Sequence, residues 1–174
     1  MKLPNVITFF RLVMIPVFLM PLAAVPPMYG LSLAVFIVAA ATDLLDGLLA
    51  RRTGTATRSG SILDPVADKL MILSAFVALT VLGDMPLWFT ALAFTRDFLI
   101  LAGWSFLRLA YGIKTVSPSP AGKANTFLQV VLVVILLGRL PLGGPAITLT
   151  ALATATSGID YLIRAVKSLR SRTG

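Results

Sequence analysis

Four aspartates, Asp43, Asp46, Asp64 and Asp68, lie in one short stretch of a chain of 174 residues that has only seven acidic residues in all. The first pair is three positions apart and the second pair four apart, so each pair occupies one face if its segment is helical. Carboxylate oxygens suit Mg²⁺, Mn²⁺ or Ca²⁺ rather than zinc. Two divalent ions bridged by such carboxylates commonly serve displacement reactions at phosphorus. The spacing therefore predicts a two-metal site for phosphoryl chemistry.

The residue types that the chain lacks narrow this chemistry further. There is no cysteine and no histidine, and all seven acidic residues are aspartates. Thiolate and imidazole catalysis are therefore excluded, and a carboxylate is the obvious candidate for a general base. Two other interpretations of the four aspartates are open. They could form ion pairs with Arg51, Arg52 and Lys69, or they could belong to a cation or proton transporter.

The segments around the aspartates are apolar enough to be membrane helices. Hydrophobic residues make up 57% of the chain and charged residues 13%, whereas an ordinary soluble domain has about 25% charged residues. A helix needs about 20 mostly apolar residues to cross a bilayer, so one membrane domain over residues 1–174 uses the whole chain. The predicted spans cover roughly residues 6–25, 30–51, 61–82, 86–110, 122–138 and 145–166.

Lysine and arginine near the ends of the spans predict their orientation. Basic residues flank the N-terminus, the second and fourth connections and the C-terminus, whereas the first and third connections have none and the fifth has only Arg139. The positive-inside rule then places both termini in the cytoplasm. All four aspartates would lie at the cytoplasmic end of two adjacent antiparallel helices. The sequence thus predicts an all-α integral membrane protein, a bundle of six transmembrane helices with both termini cytoplasmic.

The aspartates belong to a longer pattern. It reads D-x-x-D-G-x-x-A-R at residues 43–51 and, after eight further residues, G-x-x-x-D-x-x-x-D at 60–68. This pattern resembles the signature of the CDP-alcohol phosphatidyltransferase family at every specified position, and the six predicted spans are similar to that family as well. The resemblance implies an enzyme of phospholipid biosynthesis in the cell membrane. Such an enzyme transfers a phosphatidyl group from CDP-diacylglycerol to an alcohol and releases CMP.

The resemblance also implies roles for the four carboxylates. Asp43, Asp46 and Asp64 would hold a pair of Mg²⁺ or Mn²⁺ ions. Asp68 would act as the general base on the acceptor hydroxyl and would also face the second metal ion. The active site would therefore face the cytoplasm.

A further set of residues would contact the CDP-lipid. These are Gly47, Arg51, Thr57, Gly60, Asn5 and Thr8. Gly47 and Gly60 would let the nucleotide lie against the backbone, and Arg51 would contact its phosphates. Asn5 and Thr8 belong to a short amphipathic N-terminal segment, which could instead simply cap the first helix. Thr57 could equally be an ordinary loop threonine.

Two basic residues outside the aspartate stretch could bind a phosphate on the acceptor. Arg96 is the only basic residue deep in the fourth predicted span, and Lys123 opens the fifth span at the cytoplasmic face. Guanidinium and ammonium groups are common partners of phosphate. The alternatives are that Arg96 pairs with the adjacent Asp97 and that Lys123 reflects only the positive-inside rule.

Resemblances within the family bear on the acceptor. The segments NVITFFRL at 5–12 and GSILDPVADKL at 60–70 are most similar to the phosphatidylglycerophosphate synthases, which use glycerol 3-phosphate. Arg96-Asp97 and GKANT at 122–126 are more similar to the family's cardiolipin synthases, which use phosphatidylglycerol. Glycerol 3-phosphate is the expected acceptor and phosphatidylglycerol the alternative. A homodimer is left open, and the basic residues are too scattered to indicate a nucleic-acid site.

Overall fold

The computed structural model describes the backbone of residues 3–53, 63–111 and 119–173, and the side chains of residues 12–42, 69–103 and 119–166. This part of the chain is helical apart from its turns. The helices are α1 (Leu3–Leu22), α2 (Tyr29–Thr53), α3 (Leu63–Val81), α4 (Leu87–Tyr111), α5 (Pro120–Leu137) and α6 (Gly143–Thr173). Their bounds agree with the six predicted spans to within a few residues, except that α6 extends further at its C-terminal end.

The predicted N-terminal amphipathic segment is not a separate helix. Residues 3–12 form the first half of α1, which continues through Pro16 to Leu22. The segment contains no glycine or proline after Pro4, so nothing in it favours a break. The side chains of residues 3–11 lie outside the described part of the chain, and the amphipathic character of this segment stays a prediction.

The helices pack around a core of aromatic and aliphatic side chains. α1 packs against α2 and α3, α6 packs against α4 and α5, and α5 also touches α2 and α3. Phe76 of α3 meets Phe89 of α4 edge to face, with ring centroids 5.4 Å apart, and Leu132 and Val133 of α5 are completely buried. α3 and α5 therefore link the two halves of the bundle.

The polarity of the bundle is partly inverted relative to a soluble protein. Large apolar side chains such as Met20, Phe98 and Phe127 are mostly exposed, whereas Arg96 and Asp97 are buried. Extended exposed apolar surface marks an interface with lipid or protein. Among the described residues, two helices are long and apolar enough to cross a membrane, Pro120–Leu137 and Gly143–Val166, and shorter apolar stretches lie in α1, α2 and α3.

Three connections meet at one end of the bundle. Tyr29 at the start of α2 donates a hydrogen bond of 2.6 Å to Asp84, which lies between α3 and α4. Arg139, between α5 and α6, forms an ion pair with Asp84 and lies 4.4 Å from the centre of the Tyr29 ring. Alternate connections therefore share one end, as expected of helices that run alternately up and down. Arg139 is the single basic residue that the sequence places on this side, and its ion pair with Asp84 balances its charge.

Candidate active site

The four aspartates lie on two helices. Asp43 and Asp46 are in the last three turns of α2, and Asp64 and Asp68 are in the first two turns of α3. Both segments are continuous helix, so each pair lies on one face of its helix. α1 packs against both α2 and α3, so the two helices share a neighbour. The aspartate side chains lie outside the described residues, and their convergence on one site stays a prediction.

The donor set fits a magnesium or manganese site. Four carboxylates at helical spacing on two helices that pack on the same neighbour provide hard oxygen ligands, and no softer ligand competes because the chain has no histidine or cysteine. Among the side chains that the structure describes, no other group of three or more acidic residues could hold a metal ion. The aspartate stretch therefore stays the predicted site for divalent ions.

Of the residues assigned to the CDP-lipid, four lie within this stretch and two precede it in α1. Gly47 and Arg51 lie in α2, four positions apart, on the face that also carries Asp43. Asn5 and Thr8 lie in the first half of α1. Their side chains lie outside the described part of the chain, as do Thr57 and Gly60 altogether. Their contacts with a nucleotide stay predictions.

A charged layer, consisting of the half-buried Lys69 and the buried Arg96 and Asp97, joins α3 to α4. Arg96 and Asp97 are 7% and 6% exposed. Lys69 Nζ donates to Asp97 Oδ2 at 2.6 Å, and Arg96 Nη1 donates to Asp97 Oδ1 at 2.6 Å. Arg96 therefore does pair with Asp97, as one of the two interpretations predicted. Lys69 pairs with Asp97 of α4. This weakens the interpretation in which Lys69 forms a structural ion pair with the four aspartates.

Among the side chains that the structure describes, the charged layer carries more positive than negative charge. Lys69 and Arg96 bring two cations to the single carboxylate of Asp97. Arg96 Nη2 donates to Ser157 Oγ on α6, while Arg96 Nε has no hydrogen-bond partner in the described part of the chain. A buried unbalanced cation is expensive. An anionic ligand next to Arg96 would balance the charge and use the free N–H.

The start of α5 lies against this layer. Ser119 caps the helix by accepting from Gly122 N at 3.0 Å, and Pro120 opens its first turn. A Cβ at Gly122 would lie 3.3 Å from Arg96 Nη2. The next residue, Lys123, is exposed. The structure thus brings the helix turn that carries Lys123 next to the guanidinium of Arg96.

Two buried amides near this layer were missed by sequence reasoning. Asn125 and Gln129 of α5 are completely buried. Asn125 Oδ1 accepts from Thr154 Oγ1 on α6 at 2.8 Å, whereas Asn125 Nδ2 and both polar atoms of the Gln129 amide have no partner among the described residues. A signal was available, because residues 122, 125 and 129 follow helical spacing and lie on one face.

An apolar groove opens between α1, α3 and α4. Its volume is about 370 Å³, and its wall is almost wholly apolar. The lining residues are Ile15, Leu19, Leu70, Leu73, Ser74, Val77, Ala78 and Phe94. Leu70 follows Asp68 by two positions, so one lining residue of the groove is close in sequence to the predicted general base.

Comparison with known families gives one match. The family model for CDP-alcohol phosphatidyltransferases matches residues 1–159. This range contains the aspartate stretch and the charged layer. The match favours a transferase over the transporter and over the purely structural ion pairs that the aspartates alone left open.

Individual relatives point to two acceptors. The chain is 40% identical to a Mycobacterium tuberculosis protein named "Probable phosphatidylglycerophosphate synthase", over 97% of this chain and 83% of that protein. It is 28% identical to the CDP-diacylglycerol–glycerol-3-phosphate 3-phosphatidyltransferase of Bacillus subtilis, over 98% of each. It is also 36% identical to the cardiolipin synthase (CMP-forming) of Streptomyces coelicolor, over 73% of this chain and 60% of that protein.

Proposed function

The chain belongs to the CDP-alcohol phosphatidyltransferase family, and from this premise we propose that it transfers a phosphatidyl group from CDP-diacylglycerol to glycerol 3-phosphate, releasing CMP. The product would be phosphatidylglycerophosphate. The observation that carries the choice of acceptor is the charged layer, with its excess cation and the free Nε of Arg96. Lys69 of this layer directly follows Asp68 in the chain, so we expect an acceptor phosphate bound at the layer to lie near the proposed base.

The aspartates would carry out the transfer. Asp43, Asp46 and Asp64 would hold the divalent ions, which when bound supply positive charge that stabilises the diphosphate and the leaving nucleotide. Asp68 takes the proton of the acceptor hydroxyl. The freed oxygen forms a bond to the lipid-side phosphorus, and the bond from that phosphorus to the CMP oxygen breaks. CMP leaves with the electron pair, and the proton stays on Asp68 until solvent removes it.

The donor would lie between α1 and α2. Gly47 and Gly60 would give the cytidine nucleotide close access to the backbone, and Arg51 would pair with its phosphates. Three hydroxyl and amide side chains would add hydrogen bonds, namely those of Thr57, Asn5 and Thr8. The apolar groove between α1, α3 and α4 would take an acyl chain, since its wall offers almost no hydrogen-bonding group.

The acceptor phosphate would lie between Arg96 and Lys123. Arg96 offers Nε, and the exposed Lys123 follows Gly122, where an added Cβ would lie 3.3 Å from Arg96 Nη2. Lys123 adds a third cation to Lys69 and Arg96, against the single carboxylate of Asp97, so these described side chains have an excess of two positive charges. A glycerol 3-phosphate dianion would balance both, whereas the single charge of a phosphodiester would balance one. The charge therefore favours glycerol 3-phosphate over phosphatidylglycerol.

The cardiolipin synthase reaction is the second candidate. The relative from Streptomyces coelicolor supports it at 36% identity, although over a smaller share of both chains than the two relatives named for glycerol 3-phosphate. In that case phosphatidylglycerol would take the place of glycerol 3-phosphate, and the donor chemistry would be unchanged.

We also propose that all six helices span the membrane, with both termini and the aspartates on the cytoplasmic side. The support is the exposed apolar surface, the buried polar interior and the meeting of three connections at the end that carries Arg139. The opposite end carries most of the basic residues, as the positive-inside rule requires of the cytoplasmic side.

One experiment tests the proposed reaction and its acceptor. Purified protein would be given CDP-diacylglycerol and Mg²⁺ with either glycerol 3-phosphate or phosphatidylglycerol, and the lipid product identified by its mass. Phosphatidylglycerophosphate is expected from the first mixture, with little product from the second. If only the mixture with phosphatidylglycerol gives a lipid product, namely cardiolipin, then phosphatidylglycerol is the acceptor. If neither mixture releases CMP, the proposal is refuted.

A further inference from the structure

The amide of Gln129 is the least satisfied polar group in the described part of the chain. Its side chain is completely buried, and neither its oxygen nor its nitrogen has a hydrogen-bond partner. Asn125, one turn earlier in α5, is equally buried and has an unpartnered Nδ2. Burying an amide without hydrogen bonds opposes folding, and an apolar side chain of similar size would avoid that cost. Within the described part of the chain, the two amides therefore have unused hydrogen-bonding groups that a bound ligand would satisfy.

The position of the amides connects them to the charged layer. Gly122, Asn125 and Gln129 lie on one face of α5, and a Cβ at Gly122 would lie 3.3 Å from Arg96 Nη2. Gln129 lies about 10 Å along the helix from Gly122 at 1.5 Å per residue. Helical side chains lean towards the N-terminus of their helix, so both amides lean towards Arg96. On α6, Thr154 and Ser157 line the same region.

The chemistry of an amide narrows the class of ligand. Each amide offers N–H donors and a carbonyl acceptor, but no charge. A metal ion would leave the N–H groups unpaired, and a carboxylate or phosphate would leave the carbonyl of Gln129 unpaired. A hydroxyl group both donates and accepts, so it satisfies both halves of the Gln129 amide. The ligand that fits this region has hydroxyls at one end and an anion at the other.

We propose that Gln129 and Asn125 bind the non-reacting hydroxyl of a phosphorylated glycerol whose phosphate lies on Arg96. This inference rests on the proposed function and adds a specificity site to it. Glycerol 3-phosphate and the headgroup of phosphatidylglycerol share this chemistry, since each carries two free hydroxyls next to a phosphate ester. One hydroxyl attacks phosphorus, and the other identifies the acceptor as a glycerol.

The test compares two acceptors in two proteins. 3-Hydroxypropyl phosphate keeps the phosphate and the primary hydroxyl of glycerol 3-phosphate but lacks the secondary hydroxyl. The wild-type enzyme is expected to prefer glycerol 3-phosphate by about 10–100-fold in kcat/KM, since a buried amide would be left unpaired by the other acceptor. Gln129→Leu should reduce that preference at least tenfold by losing activity on glycerol 3-phosphate, with little change on 3-hydroxypropyl phosphate. The KM for CDP-diacylglycerol should stay within about twofold.

Controls separate a binding role from a structural one. Thr156→Val removes an exposed α6 hydroxyl that bonds only to its own helix, and it should leave the preference unchanged. The melting temperature of Gln129→Leu without acceptor should equal or exceed that of the wild type, because an unpaired buried amide is removed. If Gln129→Leu does not fold, Gln129→Met provides a side chain of nearly the same length.

The outcomes distinguish this inference from the proposed function. If the wild type catalyses the transfer and Gln129→Leu keeps the same preference for glycerol 3-phosphate over 3-hydroxypropyl phosphate, the inference is overturned and the proposed function stands. Equal losses on both acceptors, or loss of folding in both variants, would also overturn it, because the amide would then stabilise the protein itself. If the wild type uses only phosphatidylglycerol, the comparison is made with that lipid and its 3-hydroxypropyl analogue. If the wild type uses neither acceptor, the proposed function itself fails.

Discussion

At the scale of single residues, Asp68 has the most specific proposed role. Asp68→Asn removes the proton acceptor and one carboxylate charge, so the rate of CMP release should fall by about 10²–10⁴-fold from loss of the base alone. The protein should still fold, because a neutral amide is cheaper to bury than an unpaired carboxylate. Turnover near the wild-type value in a protein with an unchanged melting temperature would show that another group is the base.

The charged layer allows an equally specific prediction about substrate binding. Arg96→Ala leaves Asp97 paired with Lys69, so no buried charge is orphaned and the protein should fold. The KM for glycerol 3-phosphate should rise by about tenfold or more, while the KM for CDP-diacylglycerol stays nearly constant, since only the acceptor loses a charge-assisted contact. Arg51→Ala should have the opposite pattern.

Asp97→Ala is the contrast for Arg96→Ala. It would leave two neighbouring cations, Lys69 and Arg96, without their shared carboxylate, and should lower the melting temperature far more. If Arg96→Ala lowers it as much, or raises the KM for CDP-diacylglycerol, then Arg96 is a structural partner of Asp97 and not the acceptor's phosphate site.

The sequence was informative about these residues to the extent that their chemistry is local. The aspartates can be identified from their residue type and spacing, and Arg96 from its charge within an apolar span. The sharing of Asp97 between Lys69 and Arg96 depends on how α3 packs against α4, which no spacing within either helix encodes. Asn125 and Gln129 escaped notice because which face of α5 is buried depends on how α5 packs against the other helices.

At the scale of the helices, the approach of the Arg96 side chain of α4 to the first turn of α5 at Gly122 should matter for acceptor binding. Gly122→Ala places a Cβ 3.3 Å from Arg96 Nη2, and Arg96 has little room to move because Asp97 and Ser157 hold it. A displaced guanidinium should raise the KM for glycerol 3-phosphate by up to about tenfold. Acceptor-dependent steady-state kinetics would measure the effect.

Gly144→Ala is the matched control for Gly122→Ala. Gly144 also lies in the first turn of a helix, but a Cβ there would meet nothing within 4 Å. Its kinetics should equal those of the wild type. Equal effects of the two substitutions, or none from either, would mean that contact with Arg96 at Gly122 does not control the acceptor site.

Helix bounds were the most predictable feature at this scale. Runs of apolar residues ended by glycine and proline gave all six helices. The continuity of α1 through Pro16 agrees with the predicted span of residues 6–25, since proline inside a membrane helix is tolerated when neighbouring helices support the chain. Contacts of α5 with α2 and α3 were not predictable, since they depend on side-chain packing between helices distant in sequence.

At the scale of the whole molecule, the orientation in the membrane can be measured directly. The chain has no cysteine, so a single introduced cysteine reports its own side. Leu140→Cys, at the end that carries Arg139 and half exposed, should react with a membrane-impermeant maleimide in intact cells. Ser171→Cys, near the C-terminus, should react only after the cells are opened. Labelling of Ser171→Cys in intact cells would reverse the proposed orientation.

The central claim is that this protein forms phosphatidylglycerophosphate by a reaction that needs divalent ions held by the aspartate stretch. The most direct test measures CMP and phosphatidylglycerophosphate together, using purified protein, CDP-diacylglycerol and glycerol 3-phosphate. One CMP should appear for each lipid product, a chelator should abolish both, and Mg²⁺ or Mn²⁺ should restore both. Undiminished activity in excess chelator, or CMP release without the phosphorylated lipid product, would contradict the claim.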